Sequence, residues 1–141
     1  MPHVSRHKLE KRLLGEMQER FIAALADLSA RGEMDDFLSD LLTATEKVML
    51  AKRLAIVLML DKGYPFQIIS RALKVSEATI SVMRERMDKG GRGFDLVLKK
   101  LKREQKIDRI LALLDRAIRV FAMPPIAGKG RWRFLSGVSD A

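Results

Sequence analysis

Apolar residues recur along this chain at steps of three and four, the spacing of one face of an α-helix, and nowhere alternate as they would in a half-buried strand. Leu9, Leu13, Met17, Phe21, Leu25 and Leu28 form the first such stripe, with charges between them. They predict a long amphipathic helix over 6–31, ended by Gly32. Such a stripe must be covered, either by the rest of the chain or by a second copy. Phe37, Leu38, Leu41 and Leu42 mark a second, short helix. Thr43-Ala44-Thr45-Glu46 has the form of a capping box, Thr43 as N-cap and Glu46 reaching back to it. The helix it opens is apolar nearly all round from Leu54 to Leu60, which places it in the middle of a fold. Lys52 and Arg53 leave it near its start, and solvent is their default environment.

Punctuation becomes dense after Lys62. Gly63 ends the central helix, and Pro65 suits the first turn of the next, where a missing N–H costs nothing. Phe66, Ile69 and Leu73 share one side of that short helix. About three residues later Ser76 is placed to cap another helix over 77–87, whose buried stripe is Ile80, Met83 and Met87. Val75 reads as the plug beneath the turn. Lys74 stands where many such turns have glycine, so it is expected in a left-handed conformation. Two short helices about a tight turn, the second with a small polar outer face, form a helix-turn-helix at about 65–87. An αα-corner that only packs would look similar.

The outer face of the second helix carries Ser76, Glu77, Ala78, Ser81, Val82 and Glu85, with Thr79 at its margin. Short side chains let a helix sink into a major groove, where hydroxyls can meet base edges and methyls can meet thymine. Glu77, Ala78, Thr79 and Ser81 are therefore the candidates for base contact. Lys74, Arg84 and Arg86 lie nearer the sugar-phosphate backbone.

Lys89-Gly90-Gly91-Arg92-Gly93 interrupts the helical pattern and reads as a hinge. Without a following Lys-Ser/Thr these glycines make no nucleotide-binding loop. Phe94 to Leu101 is then helical, and Ile107, Ile110, Leu111, Leu114, Ile118 and Phe121 define a last amphipathic helix. Met123-Pro124-Pro125 stops it. Residues 1–122 thus read as one all-α domain, followed by a mobile Pro/Gly-containing basic tail, 123–141. Arg131-Trp132-Arg133-Phe134 within that tail could be a DNA arm, an anchor on another protein or an idle end.

Charge sharpens the picture. The 141 residues hold 27 Lys and Arg against 18 Asp and Glu, a net charge of +9. The excess is uneven: 6 basic and 8 acidic residues in 1–42, 9 and 5 in 43–89, and 12 and 5 in 90–141. A basic centre and C-terminal portion suit a polyanion, most simply nucleic acid, although a solvated basic face would read the same. Cysteine is absent, which fits a reducing cytosol and removes thiolate metal sites. The N-terminus has no apolar run of a signal peptide, and Leu54–Leu60 is far too short to span a bilayer, so a cytoplasmic location is expected with no membrane partner. His3 and His7 stand four apart but lack a third metal ligand. No catalytic motif is visible and no cofactor is implied.

LLTATEKVMLAKRLAIVLMLDKG, YPFQIISRALKVSEATIS and the KGGRGF turn, from Leu41 to about Phe94, resemble the Trp repressor superfamily. They are most similar to its bacterial Trp-repressor-like branch of YerC/YecD type. The resemblance implies an all-α fold in which two subunits interlock through their outer helices and offer two recognition helices to successive major grooves. In the tryptophan-dependent member, a threonine and an arginine before the helix-turn-helix belong to the ligand-binding pattern, matched here by Thr43 and Arg53, the candidate effector pocket. An arginine on the recognition helix completes that pattern, and Val82 stands in its place. The resemblance therefore implies double-stranded DNA binding by a homodimeric, repressor-like regulator, while Val82 argues against tryptophan as effector and leaves any effector unidentified. Glu77 and Glu85 keep open a rival reading, a protein-binding helical dimer, since carboxylates repel phosphate. A sequence-tolerant nucleoid or RNA-associated protein is the other.

Overall fold

The computed structural model describes residues 7–104 and 106–121, and the tail with its Arg131–Phe134 tip, like His3, lies outside them. Among the described residues there are seven helices and no strand: α1 Lys11–Asp27, α2 Arg31–Leu41, α3 Ala44–Asp61, α4 Phe66–Leu73, α5 Glu77–Asp88, α6 Arg92–Arg103 and α7 Lys106–Phe121. The all-α expectation holds. They fall into two compact units, Met1–Lys47 and Val48–Ala141.

In the first unit the expected helix over 6–31 is corrected to Lys11–Asp27. Leu28 turns extended, and Gly32 lies within the first turn of α2 instead of ending α1. The cause is local: the Ala30 N–H donates to the Glu33 carboxylate at 3.5 Å, starting a new helix. Leu28 keeps the apolar spacing across the break, so periodicity alone runs through it. No residue of α1 or α2 is buried; Phe21 is 44% and Ile22 64% exposed. The capping box forms as read. The Thr43 N–H donates to Glu46 Oε2 at 2.8 Å, and the Glu46 N–H donates to Thr43 Oγ1 at 3.2 Å. The Thr43 hydroxyl also donates to Glu46 Oε2 at 2.9 Å. These bonds, the backbone one foremost, hold the Glu46 carboxyl below its usual range.

The second unit has a continuous core. Full burial on α3 begins at Ile56 and runs unbroken to Leu60, two residues later than the apolar run begins, because Leu54 stays 40% exposed. Gly63, at φ 83°, then reverses the chain. The Gly63 N–H donates to the Leu60 carbonyl and the Tyr64 N–H to that of Met59, each at 3.0 Å, which closes the last turn of α3 as a Schellman motif. Pro65 is the N-cap of α4, one position before the first helical turn expected for it. α4 packs against α5 and α7, and α6 packs against α7. Ile69, Leu73, Ile80, Met83, Leu98, Leu111 and Ile118 join the α3 residues in the core. Tyr64 is half-buried there, and its phenol is pushed up first by burial and then by the Asp115 carboxylate.

Between α5 and α6 the break is a tight turn, and α6 starts at Arg92, not Phe94. Gly90 takes a φ of 121° that other residues avoid. A Cβ on Gly91 would stand 2.8 Å from Phe94 Cδ2 and 3.3 Å from Met87 Cα.

Candidate nucleic-acid interface

Local chemistry builds the α4–turn–α5 motif. The Ser76 side chain accepts from the Thr79 N–H at 3.2 Å, and its carbonyl accepts from Ile80, so α5 starts as expected. Lys74 is left-handed, with φ and ψ both 53°. Two side chains that sequence reasoning had not assigned brace this strained residue. The Ser70 hydroxyl donates to the Val75 carbonyl at 2.6 Å, and Lys52 Nζ reaches the Lys74 carbonyl at 3.4 Å. Lys52 and Arg53 are thus half-buried, not solvent-directed: apolar neighbours fill most of the α3 surface, and both long side chains run along it to a partner or a cavity edge. Val75 packs on the core beneath the turn.

On α5, Ile80 and Met83 are buried and Met87 is half-buried, which fixes the helix on one side. Glu77, Ala78, Thr79, Ser81, Arg84 and Arg86 are all exposed, and so is Lys74 before them. Val82 is 48% exposed. The hydroxyls of Thr79 and Ser76 share a hydrogen bond of 2.9 Å, so Thr79 is the most constrained of the base-contact candidates. Arg84 Nε donates to Asp88 at 3.2 Å, and Lys89 pairs with Glu85, both across one exposed helical turn. Exposed pairs of this kind are worth little and open readily.

The two candidate effector residues differ in setting. Thr43, in the first unit, has its amide and hydroxyl committed to Glu46. Arg53, in the second, lines a cavity of about 310 Å³ with Leu50, Leu54 and Val57 of α3, Met83 and Arg86 of α5, and Phe94, Val97 and Leu98 of α6. Arg86 had been assigned to the DNA backbone alone; its sharing of this lining with Arg53 was not legible, because the meeting depends on how α6 crosses α5. No group of three or more His, Cys, Asp or Glu that could hold a metal occurs among the described residues.

A buried-backed α5 with a small polar outer face, set after a short helix and a left-handed turn, defines a helix-turn-helix protein of the DNA-binding class. The Trp repressor protein family matches residues 16–102, well over half of the chain. The chain belongs to that family of helical, DNA-binding, non-enzymatic regulators. No curated protein and no solved structure matches it significantly. The matched span reaches beyond the stretch 41–94 that carried the sequence resemblance, taking in much of α1 and most of α6. No described helix is long and apolar enough to cross a membrane.

Proposed function

We propose that this protein is a sequence-specific, double-stranded-DNA-binding transcriptional regulator of the bacterial YerC/YecD type that works as a homodimer. The observation that carries this reading is the outer face of α5. It offers Ala78, Thr79 and Ser81 without bulk, while Ile80 and Met83 lock the opposite side into the core. Ser81 and Thr79 present hydroxyls to base edges, Ala78 a methyl, and Glu77 a carboxylate able to accept from a cytosine amine. Lys74, Arg84 and Arg86 supply charge for the flanking phosphates. Dimerisation rests on uncovered apolar surface: Leu13, Met17 and Phe21 in the first unit, and Val48, Leu50 and Leu54 in the second. Two copies would set their α5 helices one duplex turn apart, roughly 34 Å. Residues 1–122 form the DNA-binding region in this reading, with 123–141 as an appended basic tail. Arg53 and Arg86 make the cavity they share a candidate site for a small anion with an apolar body.

Selecting bound fragments from random genomic DNA tests the reading. Enrichment of one motif is expected, and Thr79→Ala with Ser81→Ala should reduce its preference by roughly 1–3 kcal/mol per lost base contact. Steep salt dependence with no enriched motif would favour a sequence-tolerant nucleoid role. Failure to bind duplex at all would favour the protein-binding dimer to which Glu77 and Glu85 point.

A further inference from the structure

The strongest charged surface outside the helix-turn-helix lies on α6. Arg92, Leu96, Lys99 and Arg103 follow one another at steps of four, three and four, and so share one stripe of the helix, with Lys100 beside it. Leu98, buried, and Phe94 and Leu101, packed on the core, occupy the opposite side. The stripe is exposed along its whole length, and Leu96, 61% exposed, is its single apolar member.

Nearby carboxylates do not neutralise it. Asp61 pairs with Lys102 at 2.9 Å, off the stripe, and Glu104 pairs with Lys106. Among the described residues no ion pair involves Arg92, Lys99, Lys100 or Arg103. Helix electrostatics explain only part of the pattern. Cations in the last turn of α6 complement its dipole, which accounts for Lys100 and Arg103, but Arg92 occupies the first helical position, where a cation opposes the dipole. Unrelieved like charge held on one rigid face calls for an external anion, and a stripe of about 16 Å from Arg92 to Arg103 calls for a polymeric one. The stripe also starts three residues after α5 ends, beside Lys89.

We propose that the outer face of α6 is a second, sequence-independent contact with the phosphate backbone of duplex DNA flanking the site read by α5. The proposal rests on the DNA-binding reading above and extends it from one recognition helix to two distinct surfaces. α5 would supply discrimination, and α6 affinity that depends on salt and on duplex length.

The test is the triple variant Lys99→Gln, Lys100→Gln, Arg103→Gln, which keeps the aliphatic stems and the helix propensity, alongside the single variant Arg92→Gln. Each is titrated with the selected site embedded in a short and in a long duplex, over a range of salt concentrations. The triple variant should lower the salt slope by about 2.7 on the long duplex, 0.9 for each phosphate released, and Arg92→Gln by about 0.9. The preference for the selected over a scrambled site should stay within twofold, and the wild-type gain from lengthening the duplex should disappear. Unchanged slopes in both variants would overturn the proposal and leave α6 a solvated face. So would loss of binding to vesicles containing anionic lipid with the duplex slope intact, because the partner would then be a membrane surface. If the wild type selects no site at all, the reading of α5 fails by itself. The slope difference on random duplex would still decide for or against α6.

Discussion

Replacing Lys74 by glycine separates two roles that one residue combines. Lys74 sits at φ 53°, a region that costs an L-residue with a Cβ about 1–2 kcal/mol. Glycine removes that cost but adds roughly 0.5–1 kcal/mol of backbone freedom in the unfolded chain. The difference is a net gain near 0.5 kcal/mol, about 1–3 °C in Tm for a chain of this size. The bonds that hold the turn do not use the Lys74 side chain: the Ser70 carbonyl accepts from both the Lys74 and Val75 N–H groups, and Lys52 meets the Lys74 carbonyl. They should survive. DNA binding should move the other way, with a salt slope smaller by about 0.9 if Lys74 meets one phosphate. Lys74→Asn is the control, since asparagine tolerates the left-handed region and also removes the charge. Urea unfolding and salt-dependent titrations read the two effects independently. A loss of more than about 1 kcal/mol in Lys74→Gly would refute the reasoning, by showing that side-chain contacts and not backbone strain govern the turn. An unchanged slope in both variants would remove Lys74 from the phosphate contacts.

Four further outcomes are expected. Gly91→Ala should destabilise by about 1–3 kcal/mol, because its Cβ meets Phe94 and the Met87 backbone; an unchanged urea midpoint would mean that Phe94 swings aside freely. The lowered Glu46 pKa means its contribution is present above the unfolded value of 4.5 and is lost as pH falls through the folded one. The stability difference between wild type and Glu46→Gln should therefore shrink on acidification below about pH 4.5, and a difference that widens there contradicts the sign. Light scattering at micromolar concentration should give about twice the 16.0 kDa chain mass, with Phe21→Glu shifting it toward the monomer; a monomeric wild type would sink the dimer. Saturating L-tryptophan should leave affinity for a selected site within about twofold, whereas a tenfold gain, about 1.4 kcal/mol of coupling, would show that another residue does what Val82 cannot.

The helix-turn-helix was legible because each of its boundaries carries its own chemistry. Gly63 supplies a positive φ, Pro65 a fixed one and Ser76 a side-chain acceptor, while the stripes between them follow the helical period. The junction of α1 and α2 carries no such mark. Leu28 keeps the spacing, Ala30 has no side-chain oxygen to cap with, and Gly32 stands two residues beyond the N-cap. Lys52 and Arg53 were misread for a different reason. On a helix apolar nearly all round, the direction of a long cation is decided by the helices packed against it, which local sequence does not encode. The base-contact candidates are exposed as expected, but an idle polar face would be exposed too, so their role rests on binding and not on burial.

The braces at the turn bear on how such a protein could be controlled. Ser70, Lys52 and the Ser76 cap fix the start of α5 entirely from within the chain. The half of the helix that carries Glu77, Ala78, Thr79 and Ser81 is thus oriented before any small molecule arrives, and a metabolite would find little slack there to remove. Any ligand of the Arg53–Arg86 cavity would act only on the far half of the helix. A regulator built this way is switched on by being synthesised, and occupancy of its sites follows its abundance in the cell more closely than the level of any nutrient.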